Sequence, residues 1–372
     1  MADLEIREVR KKYDEVTVIE GLNLRVEDGE LVVILGRPGA GKTTTLKVVA
    51  GIEPVTEGQV FIGREDVTLV PPEERDVAMV FETYALYPHL TIFDNITFSF
   101  RAPARSERVG EEEIKKRTRE ITDMLEISHL LDRKPRELSG GQRQRVSLAR
   151  ALVRKPRLVL MDEPIAHLDA RLRHGLRPDL RNLLKERGLT ALYATTDYLE
   201  AFGMADRVVI LSEGEVLQIG TREEIFGRPA SHKVGELIGI PAMNVIQNAK
   251  PVVREGQMYL NANGFQLKIR EEQRRIIEKK ALSDVKIGIY PSEIDIIGTG
   301  DKRKATVTGE LYVYEPLGAK GSLSVKIGNE ILKVQTAPRM RKGTIGEKIR
   351  LHIDPKTIHV FDSQNGTNIL ES

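Results

Sequence analysis

The sequence predicts an α/β domain over residues 1–238, followed by an all-β domain over residues 239–372. In the first part, short apolar segments alternate with helical patterns, which is typical of a mostly parallel sheet covered by helices. After Pro241, short strands alternate with turns such as Asn263-Gly264, which predicts a small β-barrel with an oligonucleotide/oligosaccharide-binding-like (OB-like) topology. The change of pattern near Pro241 places the predicted domain boundary.

The predicted strands of the α/β domain are short apolar runs, as buried strands of a parallel sheet are. They cover residues 31–35, 77–81, 158–161, 192–194 and 208–211. The predicted strands of the β domain cover residues 267–269, 285–289, 305–307, 323–327 and 348–353. Each is bounded by turn residues or by a helical pattern, which sets its length.

A predicted helical insert interrupts the alternation over about residues 87–150. Its sequence is polar, and Glu111-Glu112-Glu113-Ile114 opens an amphipathic helix whose charged run we interpret as a solvated face. A later helical pattern over residues 168–184 contains Pro178. Proline removes a helical hydrogen bond, so we expect this helix to be kinked or split.

Composition limits the class of protein. The chain has 372 residues, of which 30% are charged and 5% aromatic, so two or three well-hydrated domains are expected. The net charge of +2 gives no reason to expect a nucleic-acid partner. No apolar run approaches the ~20 residues of a membrane span, and the N-terminus does not resemble a signal peptide. The absence of cysteine excludes disulfides and thiolate metal sites and fits a cytoplasmic location.

A phosphate-binding loop follows the first predicted apolar strand. Gly36-Arg37-Pro38-Gly39-Ala40-Gly41-Lys42-Thr43 matches G-x-x-x-x-G-K-[ST] and precedes a helical run, a context that argues against a chance glycine turn. Backbone amides of this loop, continuing to Thr44, would surround the β-phosphate of ATP. Lys42 would reach the β- and γ-phosphates, and the Thr43 hydroxyl would bind Mg²⁺. Pro38 lacks an amide donor, which predicts slightly weaker phosphate binding.

Two carboxylates follow another buried strand. Asp162 and Glu163 end residues 158–161 at the carboxyl edge of the predicted sheet, where ligands bind in such folds. Asp162 would hold Mg²⁺ through water, and Glu163 would act as general base on the attacking water. By itself such a pair could equally be an acidic turn at a strand end.

A third motif decides between a nucleotide site and an ordinary acidic turn at Asp162 and Glu163. It is the pentapeptide Leu138-Ser139-Gly140-Gly141-Gln142. The pentapeptide lies between the loop and the carboxylates and is followed by a helical pattern, so its glycines would let an anion approach a helix N-terminus. Together, these motifs identify the chain as resembling ABC-transporter ATPases. The resemblance implies an ABC nucleotide-binding domain in which Ser139, Gly140, Gly141 and Gln142 contact ATP bound on a facing chain. It also implies that Tyr13 stacks on adenine, the alternative being a half-buried strand tyrosine.

The whole chain most resembles ATPase subunits of maltose-type carbohydrate importers. Residues 84–91, Tyr-Ala-Leu-Tyr-Pro-His-Leu-Thr, are similar to their segment facing the coupling helices of two membrane permeases. Asp132-Arg133-Lys134-Pro135 leads into the signature as in that family. Residues 239–244, 287–291 and 359–362 resemble its C-terminal β domain, which implies a regulatory domain that stabilises the dimer.

Three positions depart from that family. Glu82 stands where it has a glutamine that binds Mg²⁺ and senses the attacking water. Thr196 stands where it has a histidine that contacts the γ-phosphate and organises Glu163; threonine is too short and uncharged. Ala166 replaces a serine in the loop that crosses to the facing chain, while Asp169 is kept. His167 lies in a different loop from the lost histidine and is not its replacement.

Glu82 and Thr196 both fall on the chain's own nucleotide side, whereas its signature is complete. The resemblance therefore implies the degenerate half of an ATPase heterodimer, whose signature completes the partner's site. The alternatives are a homodimer with low turnover and a non-catalytic regulatory subunit that binds ATP. A peripheral position on the cytoplasmic side of the membrane, two permeases and an extracytoplasmic solute-binding protein are implied as well.

A soluble ABC ATPase of DNA repair or translation is a less favoured interpretation. Such proteins usually carry coiled-coil insertions or tandem cassettes, whereas this chain has one cassette and a β tail. The transported solute is not encoded in this subunit, so a carbohydrate or related solute is expected by analogy alone.

Overall fold

The computed structural model describes residues 2–101, 109–154, 156–166, 168, 170–298, 301, 306–317, 320–336 and 344–370. The chain divides into two compact units, Met1–Arg222 and Glu223–Ser372. The division falls earlier than the predicted boundary at residues 238/239. A physical reason is that helix α8, His232–Leu237, packs on strands β11, Asn244–Arg254, and β14, Val285–Ile289, of the second unit.

The first unit is built on a six-stranded sheet with the order β10-β9-β3-β8-β7-β6. Every described neighbour pair in it is parallel except the β9–β10 hairpin. The strands are β3 (Leu31–Leu35), β6 (Val77–Val80), β7 (Leu158–Asp162), β8 (Ala191–Thr195), β9 (Arg207–Ser212) and β10 (Glu215–Gly220). All residues of β3, β7 and β8 are buried, as their continuous apolar sequences require.

A second, antiparallel sheet with the order β2-β1-β4-β5 packs beside it in the same unit. Its strands are β1 (Leu4–Tyr13), β2 (Val16–Val26), β4 (Glu57–Ile62) and β5 (Glu65–Asp66). A shared apolar core contains inward residues of both sheets and of helix α1, Lys42–Ala50, among them Ile6, Val32 and Leu46. This core holds the loop before α1 at the carboxyl end of β3.

The remaining helices of the first unit are α2 (Ile92–Thr97), α3 (Glu111–Met124), α4 (Gly140–Leu152), α5 (Ala170–Glu186) and α6 (Tyr198–Met204). Helices α2, α3 and α4 contact one another and occupy the segment predicted as a helical insert. Helix α5 contains Pro178 and is not split, so that part of the expectation was wrong. Pro178 is exposed, while Leu176, Leu180 and Leu184 anchor the opposite side of the helix in the core.

The second unit contains two five-stranded antiparallel sheets, with the orders β13-β12-β11-β14-β20 and β15-β19-β16-β17-β18. The strands not yet given are β12 (Gln257–Ala262), β13 (Phe265–Lys268), β15 (Ile294–Ile296), β16 (Val307–Leu317), β17 (Lys320–Ile327), β18 (Glu330–Thr336), β19 (Lys348–Ile353) and β20 (His359–Asp362). Helices α7 (Arg222–Gly227) and α9 (Glu271–Lys279) complete it. One apolar core joins both sheets, with residues such as Leu260, Ile287, Val325 and Leu351.

Candidate nucleotide-binding site

The phosphate loop joins β3 to α1 in a conformation that two glycines make possible. A Cβ on Gly36 would lie 2.4 Å from the carbonyl oxygen of Leu211. Gly41 caps α1 with a φ of 101°, and a Cβ there would lie 2.8 Å from the Val18 oxygen. Larger residues would therefore push the loop off the sheet. Of the other predicted loop residues, Ala40 is buried, Thr44 is half-buried, and Arg37, Pro38 and Gly39 are exposed.

The Lys42 ammonium lies inside this loop. Its Nζ donates to the carbonyl oxygens of Gly36 at 3.0 Å and Arg37 at 3.2 Å, and the residue is only 6% exposed. Burial lowers the pKa of Lys42, against the opposing effect of the Glu163, Asp162 and Glu82 carboxylates. The site therefore brings one buried cation close to three acidic groups, two at the end of β7 and one just beyond β6.

Asp162 and Thr43 supply two adjacent oxygens. The Thr43 hydroxyl donates to Asp162 Oδ1 at 3.1 Å, and Asp162 is 3% exposed at the end of β7. Burial raises the pKa of Asp162, which a positive ion beside it would oppose. Among the described residues, no three His, Cys, Asp or Glu side chains form a metal-binding group. The pair fits Mg²⁺, which commonly takes one or two protein ligands together with substrate phosphates and water.

Glu163 follows Asp162 in an uncommon backbone conformation, with a φ of 47°. Its amide donates to the Ala194 oxygen at 3.0 Å. Burial raises the pKa of the Glu163 carboxyl to about 7, with Lys42 opposing the rise. A hydrogen bond from the exposed Thr196 side chain also opposes it. Thr196 thus contacts Glu163, so the expectation that threonine is too short to reach this carboxyl was wrong.

Glu82 lies just beyond β6 and is exposed. Its negative charge opposes the lowering of the Lys42 pKa and adds to the rise of the Asp162 pKa. The carboxylate therefore acts electrostatically on both groups that would meet the nucleotide phosphates and their cation.

A buried carboxylate whose charge acts on Glu163 was not predicted from the sequence. Glu200, 1% exposed in α6, accepts hydrogen bonds from the Tyr193 hydroxyl at 2.9 Å and the Thr195 hydroxyl at 2.7 Å. Arg177 of α5 lies 3.5 Å from its other oxygen. The charge of Glu200 contributes to the raised pKa of Glu163. A single glutamate in a helical pattern gives no signal of such a role.

Tyr13 ends β1 beside the phosphate-loop helix. It is 39% exposed, and its hydroxyl bonds with the side chains of Glu53 and Thr44. The Lys11 ammonium lies 4.6 Å from the ring centroid and 3.2 Å from the Glu53 carboxylate. These contacts hold a partly exposed aromatic ring beside the first turn of α1.

Ser139, Gly140, Gly141 and Gln142 form the start of α4. The Ser139 amide donates to Gln142 Oε1 at 2.9 Å, and the Gln142 amide donates to the Ser139 hydroxyl at 3.3 Å. Within the described ranges, the side chains of Ser139 and Gln142 accept each other's amides, the Ser139 carbonyl accepts the Arg143 amide at 3.0 Å, and none of these bonds reaches the phosphate loop. Ser139 is exposed at this helix N-terminus. Asp169 and His167 lie outside the described residues.

A surface groove borders β6 and residues 84–91. Apolar and aromatic side chains line much of it, including Met79, Phe81, Ala85, Tyr87 and Phe98. Tyr84 and Ala85 have positive φ angles, and Arg150 of α4 donates to both of their carbonyl oxygens, at 3.0 and 2.6 Å. The groove wall is thus tied directly to the helix that begins at the signature.

None of the helices in the described ranges combines the length and apolar character that crossing a membrane requires.

Comparison with known proteins agrees with this geometry. The ABC transporter family model matches residues 19–166. The sulfoquinovosyl glycerol transport ATP-binding protein of Agrobacterium fabrum is 38% identical over 99% of this chain and 100% of its own length. The trehalose/maltose import ATP-binding protein of Thermococcus litoralis is 37% identical, with the same coverage. The sn-glycerol-3-phosphate import ATP-binding protein of Cupriavidus pinatubonensis is also 37% identical, over 99% and 100% of the two chains.

Solved structures of ATP-binding cassettes match about three fifths of the chain. A dimeric ATP-binding cassette in a post-hydrolysis state with ADP and Pi is 31% identical, with a TM-score of 0.54. The match covers 59% of this chain and 98% of the cassette. A nucleotide-free cassette is 29% identical, with a TM-score of 0.56 over 64% of this chain and all of its own.

Proposed function

The chain belongs to the ABC transporter family of ATP-binding proteins, and we propose that it drives uptake of a carbohydrate or related solute through partner permeases. It is an ABC-type ATPase of the kind that couples ATP hydrolysis to transport. The observation that carries the proposal is the convergence of Lys42, Thr43, Asp162 and Glu163 at one edge of the central sheet. Likeness over the full chain to import ATP-binding proteins supports the solute class.

The site residues divide the chemistry of ATP hydrolysis between them. Lys42 would leave the loop carbonyls to hold the β- and γ-phosphates, and Tyr13 would stack on adenine. Thr43 and Asp162 would hold Mg²⁺, which supplies positive charge beside the phosphates. Glu163 would accept a proton from the attacking water, because its carboxyl titrates close to neutral pH.

A dimer would complete the site. The exposed Ser139 hydroxyl and the amides of Gly140 and Gly141 begin a helix, a good environment for the γ-phosphate of ATP on a facing chain. Gln142 and Asp169 would join that interface. The likeness to a dimeric cassette supports this arrangement.

The chain's own site would be the degenerate half of a heterodimer. Glu82 adds a negative charge near Lys42 and Asp162, where a neutral glutamine would not. Thr196 bonds to Glu163 yet has no cationic group for the transferred phosphate. A homologous subunit that keeps glutamine and histidine would then hydrolyse ATP with this chain's signature. A homodimer with low turnover, or a regulatory subunit that only binds ATP, remain the competing proposals.

Membrane partners would dock at the groove beside residues 84–91. Its apolar and aromatic lining suits a short helix of a permease, and Arg150 ties its wall to α4. The chain would then lie peripherally on the cytoplasmic side of the membrane, with a solute-binding protein outside. The second unit, with its two five-stranded sheets around one core, would be an OB-like regulatory domain that stabilises the dimer.

Placing the family's glutamine and histidine at positions 82 and 196 tests the proposal that this chain's own ATP site is degenerate. ATP turnover of the purified chain should be slow, although it binds ATP. Glu82→Gln with Thr196→His should raise turnover by roughly 10²–10³-fold, the usual effect of one donor at a transition state. Adding Glu163→Gln should abolish the gain. Rapid turnover by the unaltered chain would reject the degenerate site while leaving ATP-driven transport standing.

A further inference from the structure

One buried side chain connects the signature helix α4 to the backbone of Glu163. The Nε2 atom of Gln144 donates to the Glu163 carbonyl oxygen at 3.0 Å. Gln144 is 1% exposed, and among the described residues its amide oxygen has no hydrogen-bond partner. The side-chain hydrogen bonding of Gln144 therefore runs through its Nε2 donor. This donor binds the backbone of the residue proposed as general base.

The backbone of Glu163 needs such support. Its φ of 47° lies in a region that residues other than glycine seldom adopt. The Ala194 oxygen accepts its amide at 3.0 Å, and the Ala166 amide donates to its carbonyl at 3.3 Å. Gln144 donates the shorter of the two hydrogen bonds to that carbonyl, and it lies in helix α4, remote in sequence from Glu163. Removing it would free the turn that aims the carboxyl group.

A second contact links the same two segments. A Cβ placed on Gly141 would lie 3.2 Å from Leu168 Cδ2, so the first turn of α4 packs closely on the chain that follows Glu163. Gln144 lies one turn beyond Ser139, within the same continuous helix. Because a helical turn is stiff, a shift of the signature is carried to the Glu163 carbonyl through Gln144 and to the Leu168 side chain through Gly141.

We propose that Gln144 is a positioning residue that holds Glu163 from the signature helix and so couples the two ATP sites of a dimer. The inference rests on the proposed function, since the signature would contact ATP on the facing chain. When that ATP draws the start of α4 toward it, Gln144 shifts the Glu163 turn of its own chain. Coupling of this kind is reciprocal, so the placement of Glu163 also affects the affinity of the signature for the facing ATP.

Gln144→Met tests the positioning role, with Gln273→Met as a matched control. Methionine has a similar length and no donor. Gln273 is also fully buried and donates to a backbone carbonyl, that of Ile358 at 2.8 Å, but it lies in the second unit. Both full-length variants should lose thermal stability, and Gln273→Met should lose at least as much, because the Gln273 amide oxygen also accepts the Arg270 amide at 3.1 Å. Hydrogen exchange at the amides of Glu163 and Ala166 should rise in Gln144→Met alone. Unchanged exchange there would overturn the positioning role.

Steady-state kinetics distinguish a positioning role from a general loss of stability, because only misplacement of Glu163 should lower kcat selectively. In the chain carrying Glu82→Gln and Thr196→His, Gln144→Met should lower kcat about tenfold or more, as misplacement of a catalytic group does. The KM for ATP should change by a smaller factor than kcat, because the phosphate loop is untouched. An equal loss in Gln273→Met would overturn the proposal. If Gln144→Met does not fold, Gln144→Ala, which removes the donor without adding volume or charge to the interior, replaces it.

A double-mutant cycle tests the coupling. Ser139→Ala and Gln144→Met should together lose less turnover than the product of the two separate losses, because both act through one helix. Strictly multiplicative losses would overturn the coupling and leave Gln144 with a local role. The hydrogen-exchange experiment needs no turnover, so its failure differs from failure of the degenerate-site proposal, which is measured on the unaltered and restored chains.

Discussion

Lys42, Asp162 and Glu163 show how burial sets the chemistry of individual side chains. Burial lowers the pKa of the Lys42 ammonium and raises the pKa of both carboxyls, so each charged form is made less favourable. Their mutual attraction compensates in part. Bound ATP and Mg²⁺ would change this balance, because phosphates favour the charged lysine and the cation favours ionised Asp162.

The raised pKa of Glu163 predicts the pH dependence of turnover. A general base must be ionised, so kcat/KM, which reports the pKa values of the free enzyme, should fall as pH decreases through about 7, where the carboxyl gains a proton. The Thr196 hydrogen bond lowers this pKa, so Thr196→Val should move the acid limb of the kcat/KM profile to higher pH. Both profiles can be measured in the Glu82→Gln background. An acid limb that does not move in Thr196→Val would contradict the assigned contact.

At the scale of elements, the phosphate loop depends on backbone shape more than on side chains. β3 is buried throughout, and α1 starts at Lys42 directly after a left-handed glycine. Gly36 and Gly41 approach the backbone of Leu211 and Val18, respectively, too closely for any Cβ. The loop is therefore fixed by its two flanking elements and by neighbouring strands before a nucleotide binds.

Two glycine substitutions should have opposite effects on stability. Gly41→Ala meets both a φ of 101° and a 2.8 Å approach to Val18, and should destabilise the first unit by about 1–3 kcal/mol. Gly175→Ala, in the interior of α5 with no atom within 4 Å of a new Cβ, should stabilise it by roughly 0.5–1 kcal/mol. Urea unfolding of each variant gives both values. A Gly41→Ala variant as stable as the parent chain would show that the loop tolerates a side chain.

At the scale of the whole molecule, each compact unit has its own apolar core. The first unit carries the described residues of the phosphate loop, the acidic strand end and the signature. The signature's exposed serine and the loop are separate parts of that unit, and the proposed dimer would bring each against its counterpart on a facing chain. In this proposal, each ATP site is therefore complete only when two chains have paired.

Mixed dimers test that arrangement. When one copy carries Glu82→Gln and Thr196→His and the other does not, hydrolysis should occur mainly at the restored site. Ser139→Ala in the unrestored copy should then lower turnover, by about 10²-fold if its hydroxyl acts at the transition state. The same substitution in the restored copy should have little effect, because its signature faces the weak site. Differently tagged copies, purified in sequence, allow the comparison. Equal effects from either copy would contradict the composite site.

Much of the fold could be predicted because its signals are local. Buried parallel strands are continuous apolar runs, and β3, β7 and β8 lie where those runs predicted them. The phosphate loop is a contiguous motif whose meaning depends only on the strand before it and the helix after it. By contrast, Pro178 does not split α5, because packing of Leu176, Leu180 and Leu184 holds the helix together despite the lost hydrogen bond.

The sequence by itself determined the class of chemistry. The order and spacing of the phosphate loop, the signature and Asp162-Glu163 indicate ATP, a divalent cation and a general base. The tertiary structure alone decided which side chains surround Glu163. Thr196, Glu200 and Gln144 come from β8–α6 and α4, and each influences Glu163 through a contact or a charge that only folding creates. The physical reason is that burial and distance set hydrogen bonds and pKa values, and both depend on how separate segments pack.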